Sequence, residues 1–362
     1  MRREAFPSVA IVTYSASPYQ VELFNALTRS GCAVIAIYLW ESEQSRQWKP
    51  LERLHDFISL ENDKSKLESA RKAVIEANLS IFNFYTDPFA QHLLNLRVHA
   101  RKPWIFWGER PGFHVSPLLG KIVRRWSLRA LHRSPAPIWG IGHWAVEQYK
   151  KEFGPHHRYA DVPYFSDLRR FGDNRTTAAT TTRFLFSGAI TKRKGVDMLA
   201  KAFGQLAKAY PDVQLIVLGE GELLGEVKST LVECADRVRF LGFKDWNELP
   251  SVYHCADFLC APSRYDGWAL VVPEALASGL PVIGTDRTGA AIEFIKTGTN
   301  GWLIPANDDS ALLGAMRSAV NLTCEERQRY SANAKATVAN HQLEDGVKRI
   351  LAEINATLAN WK

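Results

Sequence analysis

Cysteine is scarce in this chain and never paired by spacing. The five residues (Cys32, Cys234, Cys255, Cys260 and Cys324) are odd in number, scattered, and nowhere arranged as Cys-x-x-Cys. That argues against a disulfide framework or a thiolate metal site and for free thiols in a reducing cytoplasm. The sequons at Asn78, Asn174, Asn321 and Asn355 are accordingly read as unused. Long apolar runs are also missing: none approaches the roughly 18 to 20 residues that a spanning helix requires. The basic opening MRREAFPSVAIVTYSASPYQ carries an apolar stretch too short for a signal peptide, and it runs into a first strand instead. No nucleic-acid motif accompanies the net charge of +7, and nothing in the sequence calls for a metal.

What is present is a long, ordinarily apolar chain. Its 362 residues are 46% hydrophobic and 23% charged, too many for one compact core and suited to two domains. Strand-like runs alternate with helical patterns throughout. PSVAIVTY, CAVIAIYLW, SIFNFY, PWIFWGE and PIWGIG read as strands in the first half, with YQVELFNALTRS and AVEQYKKEF as helices. In the second half RFLFSG, VQLIVLGEG, VRFLGF, ADFLCAPS and PVIGTD read as strands, separated by GVDMLAKAFGQLAKAY, GELLGEVKSTLVEC and VVPEALASG. Short Val/Ile/Phe-rich runs spaced by helices indicate parallel sheets built from βαβ units. The polar, Thr-rich stretch 166–183 reads as a linker. The expected fold is therefore α/β, with two doubly wound domains facing each other across a cleft, split at 168/169. Ligands of such sheets sit at the carboxyl ends of the strands.

One stretch of the positive excess, SPLLGKIVRRWSLRALHR at 116–133, alternates basic and bulky apolar residues at helical spacing. It reads either as a packed helix with a solvated basic face or as a surface attracted to anionic lipid headgroups through Trp126 and its neighbours.

The most informative stretch is SRYDGWALVVPEALASGLPVIG. Asp266 and Gly267 lie in a loop on the carboxyl side of the ADFLCAPS strand, and Glu274 follows eight residues after Asp266, in the first turn of a helix that Gly279 and Pro281 end. Helix starts attract phosphate, and carboxylates take paired hydrogen bonds from vicinal hydroxyls. A sugar nucleotide offers both groups. The plainer alternative is that Glu274 complements the helix dipole and Asp266 serves a turn. Upstream, Ser187-Gly188 and Lys192-Arg193-Lys194-Gly195 place cations and a flexible turn at another helix start, a second arrangement suited to a diphosphate.

Asp266-Gly267-Trp268-Ala269, then Glu274-Ala275-Leu276-Ala277-Ser278-Gly279-Leu280-Pro281-Val282-Ile283, resembles the fingerprint of the family 4 retaining glycosyltransferases, which have the GT-B fold. The downstream Asp286, Gly289, Glu293, Gly298, Asn300 and Gly301 extend the resemblance over most of 183–305. It implies a nucleoside-diphosphate-sugar donor (UDP- or GDP-sugar), no metal or other cofactor, and retention through a front-face or short-lived ion-pair route. It also implies roles. Glu274 holds the ribose, and Asp266 holds the transferred sugar at the reacting centre. Gly188, Arg193, Lys194 and Gly195 hold the diphosphate; Gly267, Trp268, Ala269 and Leu270 form the donor loop; Gly219 and Phe243 line the base pocket. Ala189 stands where the family has an arginine, and Arg193 is the substitute charge.

The N-terminal half matches more loosely. Ser15-Ala16-Ser17-Pro18-Tyr19 replaces the expected glycine pair, so Ser17 and Tyr19 are weaker candidates for facing the donor, with an N-cap role for Ser17 equally open. The stretch PWIFWGERPGFH supplies Glu109, and His114 as its alternate, to handle the acceptor's proton. The expected organisation is 1–168 on the acceptor side, 169–342 on the nucleotide-sugar side, and 343–362 as a helix crossing back to the first domain. Partners would be the donor and a glycan or lipid-linked acceptor of surface-glycan or glycolipid assembly, on the cytoplasmic membrane face, with peripheral attachment through the basic helix and no nucleic acid. Competing readings are an epimerase or phosphorylase on the same fold, and a non-catalytic scaffold that binds membrane or polyanion.

Overall fold

The computed structural model describes residues 7–41, 48–61, 63–111, 117–172 and 181–361. Two compact units divide these: 1–167 together with 343–362, and 168–342. Among the described residues, the first unit contains β1 (Ser8–Ser15), α1 (Pro18–Arg29), β2 (Ala33–Trp40), β3 (Asp56–Ser59), α2 (Leu67–Glu76), β4 (Leu79–Phe82) and α3 (Pro88–His99). Next come β5 (Trp104–Gly108), α4 (Pro117–Ser127), β6 (Ile138–Gly140), α5 (His143–Phe153) and β7 (Tyr159–Asp161). The second unit starts with β8 (Thr182–Ser187), α6 (Val196–Ala209), β9 (Val213–Leu218), α7 (Leu224–Thr230), β10 (Val238–Gly242), α8 (Leu249–His254) and β11 (Phe258–Ala261). It continues through α9 (Val271–Ala277), β12 (Val282–Thr285), α10 (Gly289–Phe294), β13 (Gly301–Ile304), α11 (Asp309–Val320) and α12 (Cys324–Thr337). The last helix, α13 (Leu343–Asn360), belongs to the first unit.

Both sheets are parallel throughout and share one winding. The first runs β3-β2-β1-β4-β5-β6-β7 and the second β10-β9-β8-β11-β12-β13. Winding reverses beside β1 in one and beside β8 in the other, which makes the ends of β1/β4 and of β8/β11 the topological switch points where ligands of such sheets bind. Central strands are apolar on both faces because helices cover both: Val9, Ala10, Ile11 and Val12 are buried in β1, and Phe184, Leu185 and Phe186 in β8.

Three strands of three or four residues are too short to stand out and escape the sequence reading. Strands β3 and β7 lie at the two edges of the first sheet, with no fully buried residue in either, and β13 is the four-residue edge of the second. The expected helix GELLGEVKSTLVEC breaks after α7, where Cys234 departs from helical geometry (φ −132°). The stretch read as a linker is not one at its start, since Ser166, Leu168 and Phe171 are buried. Helix α13 packs on α1, and the Trp361 indole N–H donates to Arg101 O (3.2 Å).

Candidate functional site

The second unit's switch point is built from loops that only glycine allows to meet. Gly195 has φ +73°, and a Cβ there would lie 2.0 Å from Pro262 O, so the turn after β8 is seated directly on the backbone that leaves β11. Gly219, at φ +130°, presses in the same way on Gly188 O (2.0 Å for a Cβ), bringing the ends of β8 and β9 together. Lys192–Lys194 form a single 3-10 turn between these contacts. A Cβ on Gly188 would lie 3.8 Å from Lys194 Cε, so the lysine stem runs past this glycine.

The cations of that turn reach the first of the two acids. Lys194 Nζ donates to Asp266 Oδ2, and Arg193 stands 3.5 Å from the same oxygen while donating to Tyr265 O (3.1 Å). Asp266 is 8% exposed, and its Oδ1 accepts the Trp268 backbone N–H (3.3 Å). Burial alone would raise this carboxyl. The charges of Lys194 and Arg193, with the hydrogen bonds, outweigh burial and hold it below the usual carboxylate range. The loop is pinned by backbone too: Asp266 N donates to Arg287 O, and Gly289 N to Asp266 O. Arg264, absent from the sequence reading, fixes the other side by pairing with Asp197 (2.6 and 2.8 Å).

Glu274 sits in α9 at 2% exposure, and its Oε2 accepts the Tyr253 hydroxyl at 3.0 Å. Burial, and next the Glu274 charge, keep the Tyr253 phenol protonated far above its ordinary range, so it serves as donor to the carboxylate. Ser187 Oγ lies 3.2 Å from the same phenol oxygen. With the phenol proton committed to Glu274, that hydroxyl donates to the phenol. The chain Ser187–Tyr253–Glu274 therefore ties α9 and α8 to the end of β8. Sequence reasoning missed Tyr253 because nothing local marks a tyrosine on the six-residue α8 as the partner of an acid on another helix.

Donor-loop residues behave differently from one another. The close approach is made by Gly289, where a Cβ would lie 2.3 Å from Gly267 O, so the loop carbonyl at 267 rests directly on the start of α10. Ala269 takes φ +70°, the left-handed region that favours glycine, and Leu270 caps α9. Trp268 departs from the expectation. Its ring is 1% exposed and packs on Phe294 and His341 (centroids 5.7 and 6.0 Å), so it supports the loop from beneath. In the expected base pocket, Gly219 N donates to Gly242 O (2.9 Å), which brings Gly219 beside Phe243, a half-buried residue. Asn300 is fully buried and holds a turn, donating to Phe294 O and Thr337 Oγ1 while accepting from Lys296 N.

In the first unit the switch point is a neutral network. Ser17 is the N-cap of α1 by position, yet its hydroxyl donates to Gln20 Oε1 (3.0 Å) rather than accepting a helix N–H. Gln20 Nε2 donates to Thr13 Oγ1 (2.8 Å) and Asn83 Oδ1 (3.1 Å), and Asn83 Nδ2 to Trp107 O (3.0 Å). Tyr19 packs against Tyr164, ring centroids 4.9 Å apart. Glu109 directly follows β5, its carbonyl accepts the Tyr149 hydroxyl (2.5 Å), and the residue is exposed. Arg110 lies over Trp144, 3.4 Å from the ring centroid. His143 is the exposed first residue of α5. His114 lies outside the described residues.

Two parallel-sheet units of this winding define a two-domain α/β protein of GT-B fold. The Anabaena protein HepE, solved in complex with UDP, superposes with a TM-score of 0.78 at 15% identity, covering 96% of this chain and 100% of that one. Residues 173–337 match the model of the glycosyl transferases group 1 family. Among curated relatives, a GDP-mannose-dependent monoacylated α-(1-6)-phosphatidylinositol monomannoside mannosyltransferase of Corynebacterium glutamicum is 28% identical over 202 residues, 51% of this chain and 52% of that protein. The lipopolysaccharide core biosynthesis mannosyltransferase LpsB of Rhizobium meliloti is 32% identical over 178 residues, covering 46% and 49%. The chain thus spans about half the length of these curated relatives.

Proposed function

We propose that the chain is a retaining glycosyltransferase of family 4, moving a sugar from a UDP- or GDP-sugar to an acceptor hydroxyl in glycan or glycolipid assembly. The observation that carries this reading is the arrangement at the end of β8. Two cations and an acid are paired beside glycine loops, and a second buried acid is held on the adjoining helix. Lys194 and Arg193 exchange the Asp266 carboxylate for the donor diphosphate, where negative charge grows as the glycosidic bond breaks. Asp266, released, takes hydroxyls of the transferred sugar. Glu274 exchanges Tyr253 for the ribose hydroxyls. On the front-face route the diphosphate oxygen that leaves C1 accepts the acceptor's proton on the same face, so configuration is retained. Glu109 then orients the acceptor hydroxyl, a task compatible with its exposed carboxylate.

A thermal-shift titration with UDP, GDP and ADP, with chelator present, tests the reading on wild type and Glu274→Ala. A ligand of the native state alone raises the midpoint with the logarithm of its concentration. One diphosphate should stabilise wild type and fail on the variant. No shift with any of the three would remove the nucleotide-sugar reading, and epimerised donor or free sugar without an acceptor would replace transfer by another reaction.

A further inference from the structure

Tyr14 breaks the burial pattern of the strand that carries it. In β1 every residue from Val9 to Thr13 is buried, and so is Ser15, whereas Tyr14 is 38% exposed. Side chains alternate along a strand, so Tyr14 lies on the face of Ala10 and Val12, whose core also holds Leu39 and Phe82. Phe84, two residues beyond Phe82, is half-buried and packs on that core. Its ring meets that of Tyr14 with centroids 5.0 Å apart and planes tilted by 52°. The core thus surfaces as an aromatic step at the β1/β4 switch point, where ligands of such sheets bind. Of the large hydrophobic side chains exposed among the described residues, Tyr14 alone stands at a switch point. The surroundings are uncharged. Residues 13–19 contain no Asp, Glu, Lys, Arg or His. Residues 83–87 contain only Asp87, whose Oδ1 accepts the N–H groups of Phe89 and Ala90 (2.7 and 3.3 Å). Hydroxyls are at hand instead: the Tyr14 hydroxyl has no partner among the described residues, and Thr86 is exposed. Glu109 opens the loop after β5, the strand beside β4, one strand spacing of about 4.8 Å away.

We propose that Tyr14 and Phe84 take the acceptor as a pyranose ring, stacked by one C–H face on the aromatic step, with a ring hydroxyl toward Glu109. The inference rests on the transferase reading and narrows its acceptor to a neutral sugar. A pyranose has an apolar face of axial C–H groups and a rim of hydroxyls. The face loses contact with water on an aromatic ring, and its polarised hydrogens meet the negative π surface. The rim stays solvated or bonds to hydroxyls such as that of Tyr14. A phosphate or other charged headgroup fits poorly, because the loops that form the step supply no cation. An alkyl chain fits poorly as well, since it would cover the Tyr14 hydroxyl and give it no partner. The plainer role, Tyr14 as a lid on Phe84, needs apolar bulk but not a ring face, and the variants below separate the two.

The test is saturation-transfer NMR on the full chain with methyl β-glucopyranoside, methyl α-mannopyranoside, octyl β-glucopyranoside and glycerol 3-phosphate, with the nucleotide thermal shifts measured on the same samples. Wild type should transfer saturation to a methyl pyranoside, most strongly to the axial C–H protons of one ring face. Tyr14→Ser should weaken that binding about fivefold through the lost stacking partner. Tyr14→Phe, which keeps the ring, should stay within about twofold of wild type. Phe84→Leu, which keeps apolar bulk without a ring, should lose as much as Tyr14→Ser. Absence of transfer to either methyl pyranoside, or equal transfer in wild type, Tyr14→Ser and Phe84→Leu, would overturn the proposal. So would preference for glycerol 3-phosphate, or transfer to the octyl chain in place of the ring, which would assign the step to a charged headgroup or a lipid tail. The nucleotide shifts keep the two readings apart. A diphosphate shift without pyranoside binding removes this inference and leaves the transferase, whereas pyranoside binding that follows the variants without any diphosphate shift leaves a sugar site and removes the transferase.

Discussion

At the end of β1, Thr13, Ser17, Gln20 and Asn83 satisfy one another with neutral hydrogen bonds, whereas at the end of β8 Lys194, Arg193 and Asp266 satisfy one another with charge. The two sheets share a winding, so topology places both clusters at equivalent points and cannot account for the difference. Loop residues do. In the proposed reaction, the charged cluster matches a diphosphate and the neutral one matches hydroxyl-rich sugar. The charged cluster also has a property that the neutral one lacks. Its ion pairs keep a buried carboxylate compensated, and in the proposed reaction each member exchanges that partner for a group of the donor.

The comparison breaks most visibly at Lys194. Lys194→Met should destabilise the second unit by about 3 kcal/mol, because it leaves the buried Asp266 charge balanced only by the longer Arg193 contact. Nucleoside-diphosphate affinity should fall about 10- to 100-fold, the worth of one charge-assisted contact. Adding Asp266→Asn should recover much of the stability and none of the affinity. Urea unfolding and calorimetric titration on the two variants check both halves. The neutral cluster should respond less, so equal losses from Thr13→Val would erase the distinction.

The first unit does hold a titrating group, and it is kept neutral. His55 is 4% exposed, with Nδ1 donating to Asn25 Oδ1 (2.9 Å) and Nε2 accepting the Tyr38 hydroxyl (2.8 Å). Burial, and then the Arg53 charge, lower it from 6.5 to about 4. The sign follows. The unfolded chain takes up a proton near 6.5 that the folded unit refuses until about 4, so the contribution is whole above the upper value and falls away as pH drops through that window. The loss is about 2 kcal/mol, discounted for partial solvation. Urea midpoints across the window should decline in wild type and decline less in His55→Gln. Asp266, held below the usual carboxylate range, loses its share only at lower pH.

How much of this could be read beforehand follows from the range of the interactions. The long central strands announce themselves because burial on both faces leaves an unbroken apolar run, as in β1, β2, β8 and β9. Strands β3 and β7 do not, since edge strands with half-covered side chains look like loop. In the site, Asp266, Glu274, Lys194 and their glycines show by spacing along the chain. The Lys194–Asp266 pair and the Tyr253–Glu274 bond join residues 72 and 21 positions apart, and no local pattern encodes either. Trp268 was legible as a loop residue but not as a buried one. Its depth depends on Phe294 and His341, which meet it only in the folded unit.

Ala269 gives the finest test of the contrast between a loop fixed by charge and one fixed by backbone. Its φ of +70° costs an alanine about 1 kcal/mol relative to glycine. Glycine would remove that strain but enlarge the unfolded ensemble, which offsets about 0.4 to 1 kcal/mol. Ala269→Gly should therefore move the thermal midpoint only slightly. The loop's anchors lie elsewhere, in the Asp266 ion pairs and in the bonds from Gly289 N to Asp266 O and Ala290 N to Trp268 O. Nucleotide affinity should consequently change less than twofold. A large affinity loss in Ala269→Gly would show that the left-handed residue itself, rather than the charged pairs around it, holds the loop in its binding shape.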